Sequence, residues 1–357
     1  MKWLFFLLIG IGVTLVYADA LDYSVFASSS ILVDKIERND GWGVTAVDVE
    51  NSKVYVTNFK STTVTVIDGN TNKPVSEIEV GSSPYGIGIN SKTKILFVAR
   101  EHNDTLAIVD SSTSEVIKNL TLPDPYDIAV NSKTNTVYVT SDMTHTVFVV
   151  DGNENEIVTS FPVDKPCGVA VNEATNMVYV TSEATNKVHV FDGTDNKLVT
   201  ILDVGKSPRG VVANPNTNLV YVTNQLSGTV DVIDGSKNEI IDTITVGSTP
   251  RRIVVNPDSN TIYVSNQISN SLSVIDGATN KVIDTIPVEQ PYELMINPKT
   301  NKVYVSYFGY PMLSIVNDVM REPESESQTI IGVLVAGAGA AAVAFFVVQK
   351  KKLKQKQ

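Results

Sequence analysis

The sequence predicts an all-β chain folded as seven four-stranded blades around a ring, a seven-bladed β-propeller closed by an N-terminal strand. Three observations carry this expectation. A Tyr-Val-Thr-Asn-like segment recurs with its aromatic residue at Tyr55, Phe97, Tyr138, Tyr179, Tyr221, Tyr263 and Tyr304, a spacing of 41 or 42 residues every time. So constant a period over short β-branched runs marks a radial array rather than unrelated domains. Each period holds four such runs bounded by Pro, Asn-Pro or Asp-Gly turn chemistry, except the seventh, which holds three. The segment from Ile31 to Glu37 matches the missing fourth run and stands at the opposite end of the chain. Pairing it with the last blade hides two sheet edges and locks the circle.

The elements follow in chain order. Residues 1–20 read as a secretory leader: Lys2, an apolar stretch from Trp3 to about Val16, then an Ala18-Asp19-Ala20 pattern with processing expected after Ala18 or Ala20. Residues 21–318 hold the propeller. Within a period the order is Pro-x-Gly opening an inner strand (Ser207-Pro208-Arg209-Gly210-Val211-Val212-Ala213), an Asn-Pro-x-Thr-Asn turn, the Tyr-Val-Thr-Asn strand, then two more strands joined at Asp-Gly. Gly41-Trp42-Gly43 stands where Pro-x-Gly stands in later periods. Residues 319–329 form a polar stalk. Residues 330–348 are an uninterrupted apolar run which, as a helix at 1.5 Å per residue, nearly matches a bilayer core. Residues 349–357 are a basic tail, a cytoplasmic stop by the positive-inside rule. The expected topology is therefore a single-pass protein of the cell membrane with its propeller on the extracellular side.

Composition narrows the function classes. The formal charge is -11, and residues 21–328 carry 22 basic against 38 acidic residues, a net of -16. Nucleic acid is an unsuitable general partner for such a surface, because a duplex binder needs a basic footprint. The lone Cys167 rules out an intrachain disulfide and a multi-cysteine metal knuckle, and no Cys-x-x-Cys-His attachment sequence is present. No cofactor is expected. Glycosylation sequons occur at Asn103 and Asn119, too few to imply a heavily glycosylated surface.

The Tyr-Val-Thr-Asn strands, the Val-Ile-Asp-Gly turns ending at Gly69, Gly235 and Gly277, and the Thr-Asn-Lys-Val turns at 279–282 and 300–303 together resemble the YVTN-repeat β-propeller family over roughly residues 31–318. The resemblance is specific for fold. For function it implies a range: surface-layer components, envelope proteins of unknown ligand, lactonases, and propellers that accompany redox enzymes. The two chain ends fit an anchored surface protein best, and the expected role is a non-enzymatic binding module of the cell envelope. The alternative is a lactonase-like hydrolase or an accessory propeller of an envelope redox system.

Candidate sites follow from the ring geometry. The turn aspartates Asp68, Asp110, Asp151, Asp192, Asp234, Asp276 and Asp318 occur once per blade, too far apart to share an ion, and are expected to make Asx-turn hydrogen bonds. The inner-strand centres, from Ile87-Gly88-Ile89 to Leu294-Met295-Ile296, contain no acid, histidine or cysteine, so the channel is expected to be filled by apolar side chains. The position after each Pro is Trp42, Tyr85, Tyr126, Cys167, Arg209, Arg251 and Tyr292 around the ring. Tyr292, Trp42, Tyr85 and Tyr126 make a contiguous aromatic arc, and Arg209, Arg251 and Arg252 fill the rest. Loops on the same face add Gln225, Gln267, Phe59 and Phe308. An aromatic arc opposite guanidinium groups suits a glycan or small anionic ligand, or an acidic envelope partner such as a surface-layer protein. The arginines are expected to be solvated, so that their replacement leaves stability nearly unchanged. Glu101, His102, Asp142, His145 and Glu183 are weak candidates for a divalent metal, since their spacing across loops does not define a coordination set.

Overall fold

A computed structural model describes residues 32–37, 43–307 and 312–318, together with the backbones of strands at 3–9, 12–18, 330–335 and 343–347. Seven antiparallel four-stranded sheets follow one another, with inner strands Thr45–Asp48, Pro84–Asn90, Pro125–Asn131, Pro166–Asn172, Pro208–Asn214, Pro250–Asn256 and Pro291–Asn297. The seventh sheet is completed by Leu32–Glu37, which pairs antiparallel with Met312–Asn317 from Leu32 opposite Val316 to Glu37 opposite Met312. Closure by the N-terminal strand is therefore as the sequence predicts, and Ile36 is buried with Leu313, Ile315, Val54, Val56 and Ile67 between blades seven and one.

The repeat motif is explained by contacts between neighbouring blades. The motif tyrosines and Phe97 are almost wholly buried, and each packs against the inner strands of the next blade, as Tyr138 does beside Val169, Val178 and Val180. At roughly 1.5–3 kcal/mol per buried aliphatic or aromatic side chain, these interblade layers dominate the apolar stabilisation. The motif threonine is a clip. Thr57, Thr140, Thr181 and Thr223 place their hydroxyls 2.8–3.0 Å from the carbonyls of Tyr85, Cys167, Arg209 and Arg251 in the following blade. In blades two and four glycine is needed after the Pro-x pair, because a Cβ at Gly86 or Gly168 would lie 2.0 or 2.2 Å from the carbonyl oxygen of Tyr126 or Arg209.

On the opposite face the Asn ending the inner strand of blades two to five donates to the turn Asn of the next blade: Asn90 to Asn135, Asn131 to Asn176, Asn172 to Asn218 and Asn214 to Asn260, at 2.7–2.8 Å. Two junctions break the pattern: between blades one and two Asp48 and Lys94 hold the two positions, 3.7 Å apart, and the seam between blades seven and one lacks the bond. The buried Nδ2 of Asn297 has no hydrogen-bond partner among the described residues, and Ser52 occupies the turn position with φ 51°. Ser52→Asn is expected to supply the missing acceptor in a backbone conformation that Asn tolerates, raising stability by about 0.5–1.5 kcal/mol in denaturant unfolding. An unchanged or lowered midpoint would show that the seam is satisfied in another way.

Six of the seven turn aspartates act as expected, accepting the backbone N–H two residues on, as Asp68 does from Asn70 at 2.9 Å and Asp234 from Ser236 at 2.9 Å. Asp318 differs: it accepts from the Tyr263 hydroxyl at 2.7 Å and from Ser259 at 2.9 Å, tying blade seven to blade six. Hydrogen bonds from Thr71 and Ser112 hold the Asp68 and Asp110 carboxyls below the usual carboxylate value, and those from Ser236 lower Asp234 to about 2. A lowered folded-state value gives stability that is present above the unfolded value of about 3.9 and lost as pH falls through the folded one. Melting temperature should therefore fall between about pH 4 and pH 2, and Asp234→Asn should flatten part of that fall; an identical profile in the variant would contradict the assignment.

Among the described residues the chain ends are strands. Trp3–Ile9 pairs with Gly12–Ala18, and the Ala18-Asp19-Ala20 pattern extends outside the described residues. Residues 320–357 form a separate unit in which Ile330–Val335 pairs with Val343–Val347, where a single helix was expected. No helix among the described residues is long and apolar enough to cross a membrane. The reason is local: both halves of the run are rich in β-branched and aromatic residues, which favour strands, and are separated by Gly and Ala. The stalk at 319–329 and the tail at 349–357 lie outside the described residues, apart from the backbone assigned to the apolar run.

Candidate functional site at the axial loop face

The start of each inner strand pairs with the end of the second strand, Pro125 with Ser141, Pro208 with Asn224 and Pro250 with Asn266. This places the residues after Pro and the loops between second and third strands on one face. The threonine clips described above fix the carbonyls of those residues, so their side chains project around the axis from a rigid ring.

Tyrosines from three blades converge there. The Tyr85 hydroxyl lies 3.2 Å from that of Tyr126 and 3.4 Å from that of Tyr292, and the Tyr85 and Tyr126 rings stack at 4.9 Å. Arg251 lies over the Tyr292 ring, 3.6 Å from its centroid, and donates to the Tyr292 hydroxyl. Burial pushes the Tyr85 and Tyr126 hydroxyls well above their ordinary values, so both are neutral donors at physiological pH. Phe59 meets Tyr85 edge-on at 5.9 Å and His102 at 5.6 Å. Trp42 and Phe308 lie outside the described residues.

The arginines are not solvated, which corrects the expectation that they are dispensable surface charges. Arg252 reaches across the axis from blade six to Asp127 of blade three, with Nη1 3.0 Å from Oδ2 and Nη2 2.5 Å from Oδ1. Its Nε lies 2.5 Å from Glu293 Oε2. The Arg252 side chain is 20% exposed, Asp127 7% and Glu293 4%. Asp127 is further held by the Val169 N–H at 3.1 Å. Burial opposes charge on Arg252, but the facing Asp127 and Glu293 outweigh it and raise its affinity for the proton. Burial raises the Glu293 carboxyl, with Arg252 and Arg251 acting in the other direction. Arg209 donates from Nη2 to both Glu183 oxygens at 3.2 Å and from Nε to Gln225 Oε1 at 2.9 Å. Gln267 holds the equivalent loop position on blade six, its backbone N–H donating to Thr249.

Asp127 and Glu293 were invisible to a reading that took every blade as Pro-x-Gly. They and Arg252 occupy the glycine position itself, which is Gly in blades one, two, four and five. Departure from the repeat at three of seven equivalent positions, with opposite charges, was the available signal. Below this ion triad lies a lumen of about 210 Å³ walled by Val, Ile, Ala, Leu294 and Met295. The channel is thus lined mainly by apolar side chains, but it encloses an open lumen rather than being filled by them, and it carries two acids at its mouth, contrary to expectation.

The metal candidates fall into separate pairs: His145 Nδ1 on Asp164 at 2.6 Å, Glu183 on Arg209, Asp142 3.9 Å from Lys165, and Glu101 and His102 on blade two beside Phe59. No cluster of three or more His, Cys, Asp or Glu able to hold a metal ion occurs among the described residues. Three hydrophobic side chains stand out on the same face. Met143, Leu226 and Ile268, at equivalent loop tips of blades three, five and six, are 78%, 76% and 71% exposed.

Residues 172–311 match the family model of the cytochrome D1 heme domain, a β-propeller family. No curated protein sequence matches the chain. Chains of solved structures match in large number, 1686 in all, so likeness of fold alone does not select a function. Among them is hydrazine synthase of Kuenenia stuttgartiensis, with a TM-score of 0.71 and 15% sequence identity over 82% of this chain and 99% of that one. At that identity the similarity speaks to the seven-bladed fold.

Proposed function

We propose that the chain is an envelope binding module of the YVTN-repeat type, whose axial loop face takes a protein partner. The observation that carries this reading is the set of apolar tips Met143, Leu226 and Ile268, three large side chains left in water at equivalent loops of one face. Isolated exposed apolar residues are ordinary, but a set rimming one face is what a partner covers. Across the axis beneath, the Arg252 triad sets one guanidinium against two carboxylates and so calls for no anion. The acidic chain, the leader-like N-terminus and the apolar run followed by lysines support an anchored, extracellular location. Replacing Met143, Leu226 and Ile268 by Ser is expected to leave the melting temperature within about 2 °C of the parent. The same variant should lose a partner that the parent retains on co-purification from its own envelope. Equal retention would overturn the reading.

A second reading, an accessory propeller of an envelope redox system, is favoured by the match to the cytochrome D1 heme domain and by the likeness to hydrazine synthase. A haem does not fit the lumen. Its volume of about 210 Å³ is below the roughly 300–1,000 Å³ of cofactor pockets, and among the residues lining it only Met295 carries an atom of the common axial-ligand types. His102 and His145 stand at loop tips and His189 in a third strand, stacked beside Phe191. A redox role for this chain would therefore be one of docking to an enzyme that carries the cofactor.

A further inference from the structure

A small pocket of about 100 Å³ opens on the loop face between blades three, four and five, lined by Tyr126, Asp142, Lys165, Pro166, Cys167, Glu183 and Arg209. Its charged walls are two acids and two bases. Two of its polar groups point to an occupant. Asp142 Oδ1, on a side chain that is 49% exposed, is itself shielded from solvent and makes no hydrogen bond among the described residues, its nearest cation being Lys165 Nζ at 3.9 Å. Arg209 spends Nε on Gln225 and Nη2 on Glu183, and its Nη1 makes no hydrogen bond among the described residues. A shielded acceptor with no donor normally has a water, ion or ligand against it. The floor is the Cys167 thiol, whose burial pushes it up to about 11, so it is neutral and adds no charge. An unused acceptor and an unused donor in a cavity of balanced charge complement a molecule bearing an ammonium and a carboxylate together.

We propose that this pocket binds a small free α-amino acid, its ammonium on Asp142 and Glu183 and its carboxylate on Arg209 and Lys165. The volume, about that of three water molecules, admits the head group with a side chain of one or two heavy atoms and excludes an aromatic one. The site lies beside the apolar tips but needs no protein partner, so it can fail while the docking reading stands.

The test is calorimetric titration of the full-length detergent-solubilised chain with glycine, alanine, phenylalanine, methylammonium chloride and sodium acetate. Glycine or alanine is expected to give saturable heat, with phenylalanine, methylammonium and acetate at least roughly tenfold weaker. Asp142→Asn, which keeps the shape of a side chain outside the ion triad, should weaken glycine by roughly tenfold or more at an unchanged melting temperature. Saturable heat that is undiminished in Asp142→Asn, phenylalanine binding as well as glycine, or no saturable heat from glycine and alanine would each overturn the proposal, the last meaning that the pocket holds water only.

Discussion

Replacing Arg252 by Gln is expected to destabilise the propeller by about 3–5 kcal/mol, because it strands two buried carboxylates on the axis. In thermal unfolding this corresponds to a fall of roughly 5–15 °C. The loss comes from the charges left behind rather than from the pair itself, and that distinction can be measured. Asp127, Arg252 and Glu293 all stand where the other blades have Gly, so the triple replacement by Gly restores the residue of the repeat and removes every buried charge. The triple variant should recover part of the stability lost in Arg252→Gln. If Arg252→Gln melts as the parent does, the ion triad does not stabilise the axis; if the triple variant is worse than the single one, side-chain packing rather than charge explains the loss.

Deleting residues 30–37 should abolish the cooperative transition altogether. The deletion removes the outer strand of blade seven, leaves Met312–Asn317 with an unpaired edge, and uncovers Leu313, Ile315 and Tyr304 where Ile36 closes the interblade core. Ile36 alone accounts for roughly 2 kcal/mol of burial. The larger effect is topological, since an open ring exposes the faces of two blades as well as the edge of one. A truncated chain that melts at the temperature of the intact one would show that the circle is held by the seam contacts, of which Lys302 Nζ on the Gly69 carbonyl at 2.8 Å is the strongest candidate.

Much of the fold was legible because each blade repeats the same local physics. The Tyr, Thr and Gly of the motif each serve the next blade, so a contact between neighbours is encoded at a fixed spacing of one period. The convergence of Tyr85, Tyr126, Tyr292 and the arginines on one mouth followed from the same regularity. What was not legible is the pairing of side chains across the ring. Asp127 and Arg252 are 125 residues and three blades apart, and nothing local tells an arginine whether it faces water or a carboxylate on the far side of the axis. The expectation of dispensable arginines failed for that reason. The C-terminal run differs for another: its ends are rich in β-branched residues that favour strands, so apolar length alone did not fix its conformation.

The central claim is that the molecule binds through its loop face, above an axis spanned by the Arg252 triad. A photo-crosslinking amino acid placed at Leu226, on an exposed tip of that face, can be compared directly with one at Asn216, exposed on the opposite face. Irradiation of native envelopes should give a discrete adduct from position 226 and none from position 216. Adducts from position 216 alone, or from neither position, would contradict the account.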